Sequence, residues 1–179
     1  MQLYLARHTE TNYNVLGLSN SDPNVDVHLT ALGIEQAKIL AISLKNERLD
    51  TVYTSKLSRT IETTRYITKG RGLEVISDPR LNDLNMGFEG KPVDEYHIKL
   101  LRTPDMWAAK FDGGESLNDL DYRVAGFLSD LSKLTDKKNV LVVSHYTVLQ
   151  LMIGRLKRLD KNKALKIEII QGQYNKISI

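Results

Sequence analysis

The chain has no cysteine among its 179 residues and no long apolar segment. The missing thiols exclude a disulfide framework and thiolate catalysis. No run approaches the roughly 18 apolar residues that a membrane helix needs, and the first residues lack the basic and apolar regions of a signal peptide. We therefore expect a cytoplasmic protein with no membrane partner.

The chain also lacks the spacing of a metal site. Its four histidines are scattered, without an HExxH motif, so we expect neither a metal nor a cofactor. Two of them, His28 and His97, are expected at the surface. The formal charge is only +3, and no aromatic residues interleave the basic residues of 155–166. We expect that basic run to be solvated surface and the protein to have no nucleic-acid partner.

What the sequence does contain is typical of a globular enzyme, with 41% hydrophobic and 26% charged residues. Residues 2–6 and 140–143 form short apolar runs rich in β-forming residues, as in strands buried on both faces. Helical patterns alternate with these runs. The alternation predicts an α/β fold, a three-layer α/β/α sandwich with a mostly parallel central sheet.

Further elements follow from local patterns. Residues 51–54 are predicted to form a strand and residues 58–68 a helix, while 165–170 and 174–179 suggest one or two terminal strands. Ser116, with an acid three residues later, predicts the start of another helix. One apolar stripe is predicted to face the core from each of two helices: Leu29, Leu32, Ala37, Leu40, Ala41 and Leu44 on the first, and Leu117 to Leu134 on the second.

We expect one domain over residues 1–179. Within it, proline and glycine interrupt the periodicity of the segment 78–112, which is predicted to be a cap or specificity segment over the sheet edge. The stretch from Tyr96 to Trp107 is expected to be a packed part of that cap.

Two predicted strands end in histidine. His8 follows the first buried run and His145 follows the later one. Ligands of open α/β sheets bind beyond the carboxyl ends of the strands, so both imidazoles are expected at one edge of the sheet. This juxtaposition suggests phosphate chemistry.

Six short stretches then follow one another in a characteristic order. They are Arg7 to Asn14, Leu29 to Ala37, Ser55 to Thr63, Leu81 to Gly90, Gly114 to Ser116, and Ser144 with His145. In this order the chain resembles the histidine phosphatase superfamily, the phosphoglycerate-mutase-like proteins, over nearly its whole length. It is most similar to the compact phosphatases of that family, such as the α-ribazole phosphatases, because the cofactor-dependent mutases are longer.

The residues themselves suit phosphoryl transfer. Negative charge spreads over three oxygens of the transferred group, so a catalyst without a metal needs positioned cations and N–H donors. Arg7 and Arg59 would bind phosphate oxygens bidentately, and a protonated His145 would contact the same group. A neutral imidazole is a competent nucleophile, and the resemblance implies that His8 has this role.

The leaving group needs a proton. The family places a glutamate at the position of general acid, and the matching residue here is Asp83. Aspartate is one methylene shorter, so it must approach the leaving oxygen more closely. Glu89 and Glu115 are acidic neighbours that could take part of the role, and that alternative stays open here.

Three further residues are predicted to bind substrate. Asn14 would donate from its side-chain amide. Thr9 and Tyr146 stand where the family has glycine, and each would offer its backbone N–H while narrowing the pocket. Leu18 occupies a position at which many relatives carry arginine.

The sequence therefore predicts a metal-independent phosphomonoester hydrolase that acts through a phosphohistidine on a small phosphorylated metabolite. A phosphoglycerate-type mutase is one alternative. A phosphate-binding regulatory protein with degraded catalysis is another, suggested by Thr9, Tyr146 and the shortened acid. The sequence does not specify the alcohol half of the substrate or the oligomeric state.

Overall fold

A mixed five-stranded sheet forms the centre of the computed structural model, which describes residues 1–134 and 139–178. The strands are β1 (Gln2–Arg7), β2 (Thr51–Thr54), β3 (Glu74–Ser77), β4 (Asn139–Ser144) and β5 (Tyr174–Ser178). Their order in the sheet is β3-β2-β4-β1-β5. Only β5 is antiparallel to its neighbour among these described strands, so the predicted mostly parallel sheet is confirmed.

Helices surround the sheet. They are α1 (Asn12–Leu16), α2 (Ala31–Ser43), α3 (Ser58–Thr68), α4 (Val93–Leu101), α5 (Leu117–Ser132), α6 (Tyr146–Leu156) and α7 (Lys161–Ala164). The predicted strand 51–54 and helix 58–68 are confirmed. Ser116 caps α5 in a capping box with Asp119, also as predicted. Across the described ranges, none of the helices combines the length and the apolar character needed to span a bilayer.

The helices cover both faces of the sheet, which confirms the three-layer sandwich. Along β1, Leu3 and Leu5 belong to one buried cluster together with α5 and α6. The alternate residues Tyr4 and Ala6 belong to a second cluster together with α2 and α3. Successive strand side chains point to opposite faces, so one strand supplies both halves of the core.

Of the one or two terminal strands predicted, the structure forms one, over 174–178, and 165–170 is not a strand. The side-chain amide of Gln150, on α6, donates to the carbonyl oxygens of Leu165 and Ile167, each at 2.8 Å. These carbonyls are bound by a side chain and not by a neighbouring strand, so the segment is held as a turn and an extended connection.

The predicted core stripe is buried at Leu29, Ala37, Leu40 and Leu44, in or next to α2, and half-buried at Ala41. Leu40 and Ala37 are fully buried, but Leu32 is 55% exposed. Ile39 and Ile42 also face outward on this helix, which is therefore apolar around much of its circumference. An apolar residue on such a helix does not by itself indicate the core face.

The segment 78–112 is more regular than its sequence indicates. It contains a 3₁₀ turn (Pro79–Leu81) and α4. Tyr96 and Trp107 are both buried, which confirms that this stretch is packed.

The ends of β1 and β4 position the site. The two strands are parallel neighbours in a register that pairs Arg7 with Ser144. The backbone N–H of His8 donates to the Ser144 carbonyl at 2.9 Å. The sheet thereby delivers His8 and His145 to the same edge.

Candidate active site

A cavity of about 330 Å³ lies at this edge of the sheet. The His8 ring lines this cavity. The His145 ring lies beside it, with the two ring centroids 5.2 Å apart, but His145 does not itself line the cavity. Both rings are almost completely buried. Of the residues predicted from the sequence, six line the cavity: Arg7, His8, Asn14, Arg59, Asp83 and Tyr146. The fold therefore brings together residues from five separate parts of the chain.

The hydrogen bond at one nitrogen of His8 fixes its tautomer. Nδ1 lies 2.9 Å from the carbonyl oxygen of Thr9, and a carbonyl can only accept. Nδ1 must therefore carry the hydrogen, which leaves the lone pair of a neutral ring on Nε2. Burial, followed by the charges of Arg59, His145 and Arg7, holds the pKa of His8 well below its ordinary value of 6.5. The ring is thus kept in its nucleophilic form.

Both ring nitrogens of His145 lie near polar side chains. Its Nε2 is 2.9 Å from the hydroxyl of Ser55, and its Nδ1 is 3.4 Å from Oδ2 of Asp83. Burial and the charges of Arg59, Arg123 and Arg7 lower the pKa of His145 well below 6.5, whereas the sequence led us to expect a protonated ring. An arriving phosphate dianion would oppose these positive charges and favour protonation.

Arg59 lies in the first turn of α3, where free backbone N–H groups and the helix dipole favour anions. Its Nη1 donates to Oδ1 of Asn20 at 2.7 Å, and its Nη2 donates to the Asn20 carbonyl at 3.0 Å. The same Nη2 donates to Oδ2 of Asp83 at 2.9 Å. These hydrogen bonds fix the direction of the guanidinium. Only 4% of the residue is exposed.

Arg7 provides the second guanidinium. It lines the cavity, and its carbon Cζ lies 5.1 Å from the centre of the Tyr146 ring. Its buried Nε has no hydrogen-bond partner among the residues that the structure describes. A buried donor without a partner is costly, and a phosphate oxygen would satisfy it.

Asp83 is the one carboxylate among the described residues lining the cavity. The two acids that the sequence left as alternatives are engaged elsewhere. Glu89 accepts from the Asn20 side chain at 2.8 Å and from the backbone of Ser21 at 2.7 Å. Glu115 pairs with Arg123 at 2.6 Å. Geometry therefore favours Asp83 as the acid.

Thr9, predicted to bind substrate through its backbone N–H, has a protein partner for that group. Its backbone N–H donates to the hydroxyl of Thr63 at 3.2 Å, and the residue is completely buried and does not line the cavity. The donor that was expected to face phosphate is thus already used. By contrast, Tyr146 lines the cavity and is 38% exposed.

Asn14 lies at the mouth of the cavity and also stabilises α1. Its Oδ1 accepts from the backbone N–H of Thr11 at 3.1 Å, within a capping box. His97 is exposed, as predicted, but it also lines the cavity. Asn20, which binds the Arg59 guanidinium, was not predicted from the sequence. It lies in an irregular loop, and no periodicity or motif marked it.

Comparison with known proteins gives one family. Residues 3–179 match the model described as histidine phosphatase superfamily (branch 1). Phosphoserine phosphatase 1 of Hydrogenobacter thermophilus is 34% identical, in an alignment that covers 99% of this chain and 86% of that protein. A probable phosphoglycerate mutase, GpmB, of Yersinia pestis is 32% identical over 87% of this chain and 74% of its own length.

A solved structure also resembles this fold. The α-ribazole phosphatase of Shigella flexneri superposes with a TM-score of 0.88 at 32% sequence identity, covering 100% of this chain and 91% of that one. The likeness extends over the whole sandwich and is not confined to the strands that carry the two histidines.

Proposed function

Because the chain belongs to the histidine phosphatase superfamily, we propose that it hydrolyses phosphate monoesters of small metabolites through a phosphohistidine on His8. Two of its relatives are named as phosphatases, for phosphoserine and for α-ribazole phosphate. The observation that carries the proposal is the bond from Nδ1 of His8 to the Thr9 carbonyl, which directs the lone pair to Nε2.

The first step transfers the phosphoryl group to the protein. Nε2 of His8 attacks phosphorus, the P–O bond to the alcohol breaks, and the leaving oxygen takes a proton from Asp83. Arg7 and Arg59 supply positive charge where negative charge accumulates on the three phosphoryl oxygens. The Arg59 guanidinium is held by Asn20 and Asp83 before substrate arrives, so little reorganisation of that group is needed during the reaction.

The second step returns the protein to its starting state. Water attacks the phosphorus, its proton passes to Asp83, and the N–P bond breaks to release inorganic phosphate. The single carboxylate thus acts as acid and then as base. In support of this role, Asp83 lies 3.4 Å from His145 and 2.9 Å from Arg59, the two groups that we propose to bind the phosphate.

The walls of the cavity favour hydrolysis over phosphoglycerate interconversion. A phosphoglycerate, like phosphoserine, presents a carboxylate that needs a cationic partner, so the lining also disfavours a substrate with a carboxylate. Apart from Arg7 and Arg59, the described lining includes neither lysine nor arginine. Instead the cavity has an apolar side formed by Leu18, Val27, Leu84, Met86 and Val93. We therefore favour a phosphatase and rank the mutase second.

We also propose a cytoplasmic location and no nucleic-acid partner. The division of the chain also remains a proposal, with one domain over 1–179 and 78–112 acting as its cap. In support of the cap, Leu84, Met86, Val93 and His97 all lie in that segment and line the cavity.

The test uses para-nitrophenyl phosphate with purified wild-type protein and the variant His8→Ala. We expect turnover in the wild type and none in the variant, and rapid quenching in alkali should trap phosphohistidine only in the wild type. His28→Ala is the matched control, because His28 is an exposed histidine outside the cavity and should leave turnover unchanged.

Turnover that survives His8→Ala would refute the proposed nucleophile. Phosphate binding without turnover in the wild type, lost on Arg59→Ala, would instead favour the regulatory binding protein. Interconversion of phosphoglycerates faster than hydrolysis would favour the mutase.

A further inference from the structure

Arg123, on α5, makes an unusual set of contacts behind the cavity. Its Nη1 donates to the carbonyl oxygens of Arg80 and Asn82, each at 2.7 Å. Its Nη2 donates to the carbonyl oxygen of Asp83 at 3.0 Å. One guanidinium therefore binds three backbone carbonyls in the segment that carries the proposed acid.

Glu115 holds the other edge of the same guanidinium. Its two carboxylate oxygens accept from Nε and Nη2 of Arg123 at 2.9 and 2.6 Å. Glu115 also accepts from the backbone N–H of Asn85 at 3.1 Å, and its own N–H donates to the Asn85 carbonyl at 2.8 Å. The pair thus fixes the backbone on both sides of Asp83.

This arrangement depends on the shape of the arginine side chain. A planar guanidinium presents donors in a fixed fork, which allows bidentate binding of a carboxylate on one edge and of carbonyls on the other. A lysine ammonium has three donors at one point and cannot span both edges. The Arg123 side chain is only 18% exposed, so water does not readily replace the lost bonds.

We propose that Arg123 is a positioning residue for Asp83, holding the carboxyl group within reach of the leaving oxygen. The inference rests on the proposed function, because it assumes that Asp83 is the general acid. Arg123 does not line the cavity that holds His8, Arg7 and Arg59; with Asp83 and Glu115 it lines a second cavity of about 310 Å³. It acts through the backbone of residues 80–83, and a shorter acid than the family's glutamate makes accurate placement more important.

The expected signature is a dependence on the leaving group. A nitrophenolate leaves without a proton, whereas the alkoxide of glycerol phosphate needs one. The ratio kcat/KM reports steps up to the phosphorylation of His8, so it isolates the acid step from the later hydrolysis. A purely structural role would reduce kcat/KM equally for both substrates.

The experiment compares Arg123→Lys and Arg123→Met with wild type on these two phosphates. General acid catalysis contributes about 10²- to 10⁴-fold, so partial misplacement of Asp83 should cost about 10- to 100-fold in kcat/KM for glycerol phosphate. The loss for para-nitrophenyl phosphate should stay within about 3-fold. The lysine variant keeps the charge, and it carries the test if the methionine variant is insoluble.

Two further variants sharpen the comparison. Asp83→Asn should show the same selective loss, and adding Arg123→Lys to it should cost little more, because both changes remove one contribution. Arg155→Met is the matched control. Arg155, on α6, forms a bidentate pair with Asp121, at 2.6 Å for each bond. Asp121 lies on α5, as Arg123 does, and Arg155 is outside the cavity. Its kcat/KM should match wild type for both substrates.

Equal losses on the two phosphates would overturn the inference, as would a full additional loss when Arg123→Lys is added to Asp83→Asn. These results leave the phosphohistidine mechanism intact. A wild-type protein that forms no phosphohistidine and releases no nitrophenol would overturn the proposed function, and this inference with it.

Discussion

Two fully buried histidines should make this protein lose stability as the pH falls below about 6.5. His8 and His145 are enclosed, and burial together with neighbouring arginines lowers the pKa of both rings well below 6.5 in the folded state. In the unfolded chain both rings take up protons near their ordinary pKa. Unfolding is therefore favoured by proton uptake at acidic pH.

The sign and size follow from proton linkage. The unfolded state binds more protons than the folded state below the ordinary histidine pKa, so the free energy of unfolding rises with pH and falls on acidification. Between a pH of about 7.5 and about 5.5, a ring that stays neutral in the folded protein costs about 1.4 kcal/mol. The pair together should therefore cost about 2.7 kcal/mol, a large share of the stability of a typical domain.

The measurement is urea unfolding of wild type, His8→Asn and His145→Asn at both pH values. Each substitution removes one buried ring, so each should reduce the pH-dependent change by about 1.4 kcal/mol. His28→Asn is the control, because the His28 side chain is 56% exposed and outside the cluster. All of these proteins have the same carboxylates. The difference between a variant and wild type therefore does not include the contribution of carboxylate titration to the pH dependence.

A pH-dependent change that is the same in wild type and in both buried-histidine variants would refute the reasoning. So would an increase in stability on acidification that disappears with His145→Asn, because that result would mean a protonated ring in the folded protein. Inorganic phosphate should reduce the effect, since its negative charge favours protonated His145.

Two further predictions concern single positions. A methyl group on Gly33 would overlap the backbone carbonyl of Glu10, so Gly33→Ala should lower the free energy of unfolding by about 1–3 kcal/mol in a urea titration. Gly126→Ala should leave the free energy of unfolding unchanged or raise it, because the atom nearest to the added methyl group is 3.9 Å away. Equal effects at the two glycines would contradict the predicted overlap at Gly33. Arg59→Lys loses the bidentate fork and should reduce kcat/KM by about 10- to 100-fold, while Arg65→Lys, exposed on the same helix, should not. A similar loss in both lysine variants would count against phosphate binding by Arg59.

The sequence predicted the parts of the site that strands deliver. His8 and His145 follow apolar runs, and parallel strands bring such positions to one edge, so local pattern and sheet geometry were sufficient. Alternation alone did not decide whether 165–170 forms a second terminal strand beside 174–178. There the amide of Gln150 binds the carbonyl oxygens, and such a contact from a distant helix leaves no periodic signal.

Thr9, predicted to bind substrate, shows a related effect of tertiary contacts. Its position beside His8 indicated a backbone donor for phosphate, but the hydroxyl of Thr63 takes that N–H. Thr63 lies on α3, more than fifty residues along the chain, and only the packing of that helix against the strand end brings it within 3.2 Å. Which donors remain for substrate is decided by tertiary contacts that a motif does not contain.

The choice among Asp83, Glu89 and Glu115 shows what the fold adds to the chemistry. Asp83 and Glu89 lie in the stretch Leu81 to Gly90, and Glu115 lies in the stretch Gly114 to Ser116. All three are carboxylic acids, so residue type alone does not choose among them. The fold commits Glu89 to a loop and Glu115 to Arg123, and it leaves only Asp83 among them at the cavity. Glu115 and Arg123 hydrogen-bond to the backbone around Asp83. Glu115, which does not take part in proton transfer, therefore helps to position Asp83, which does.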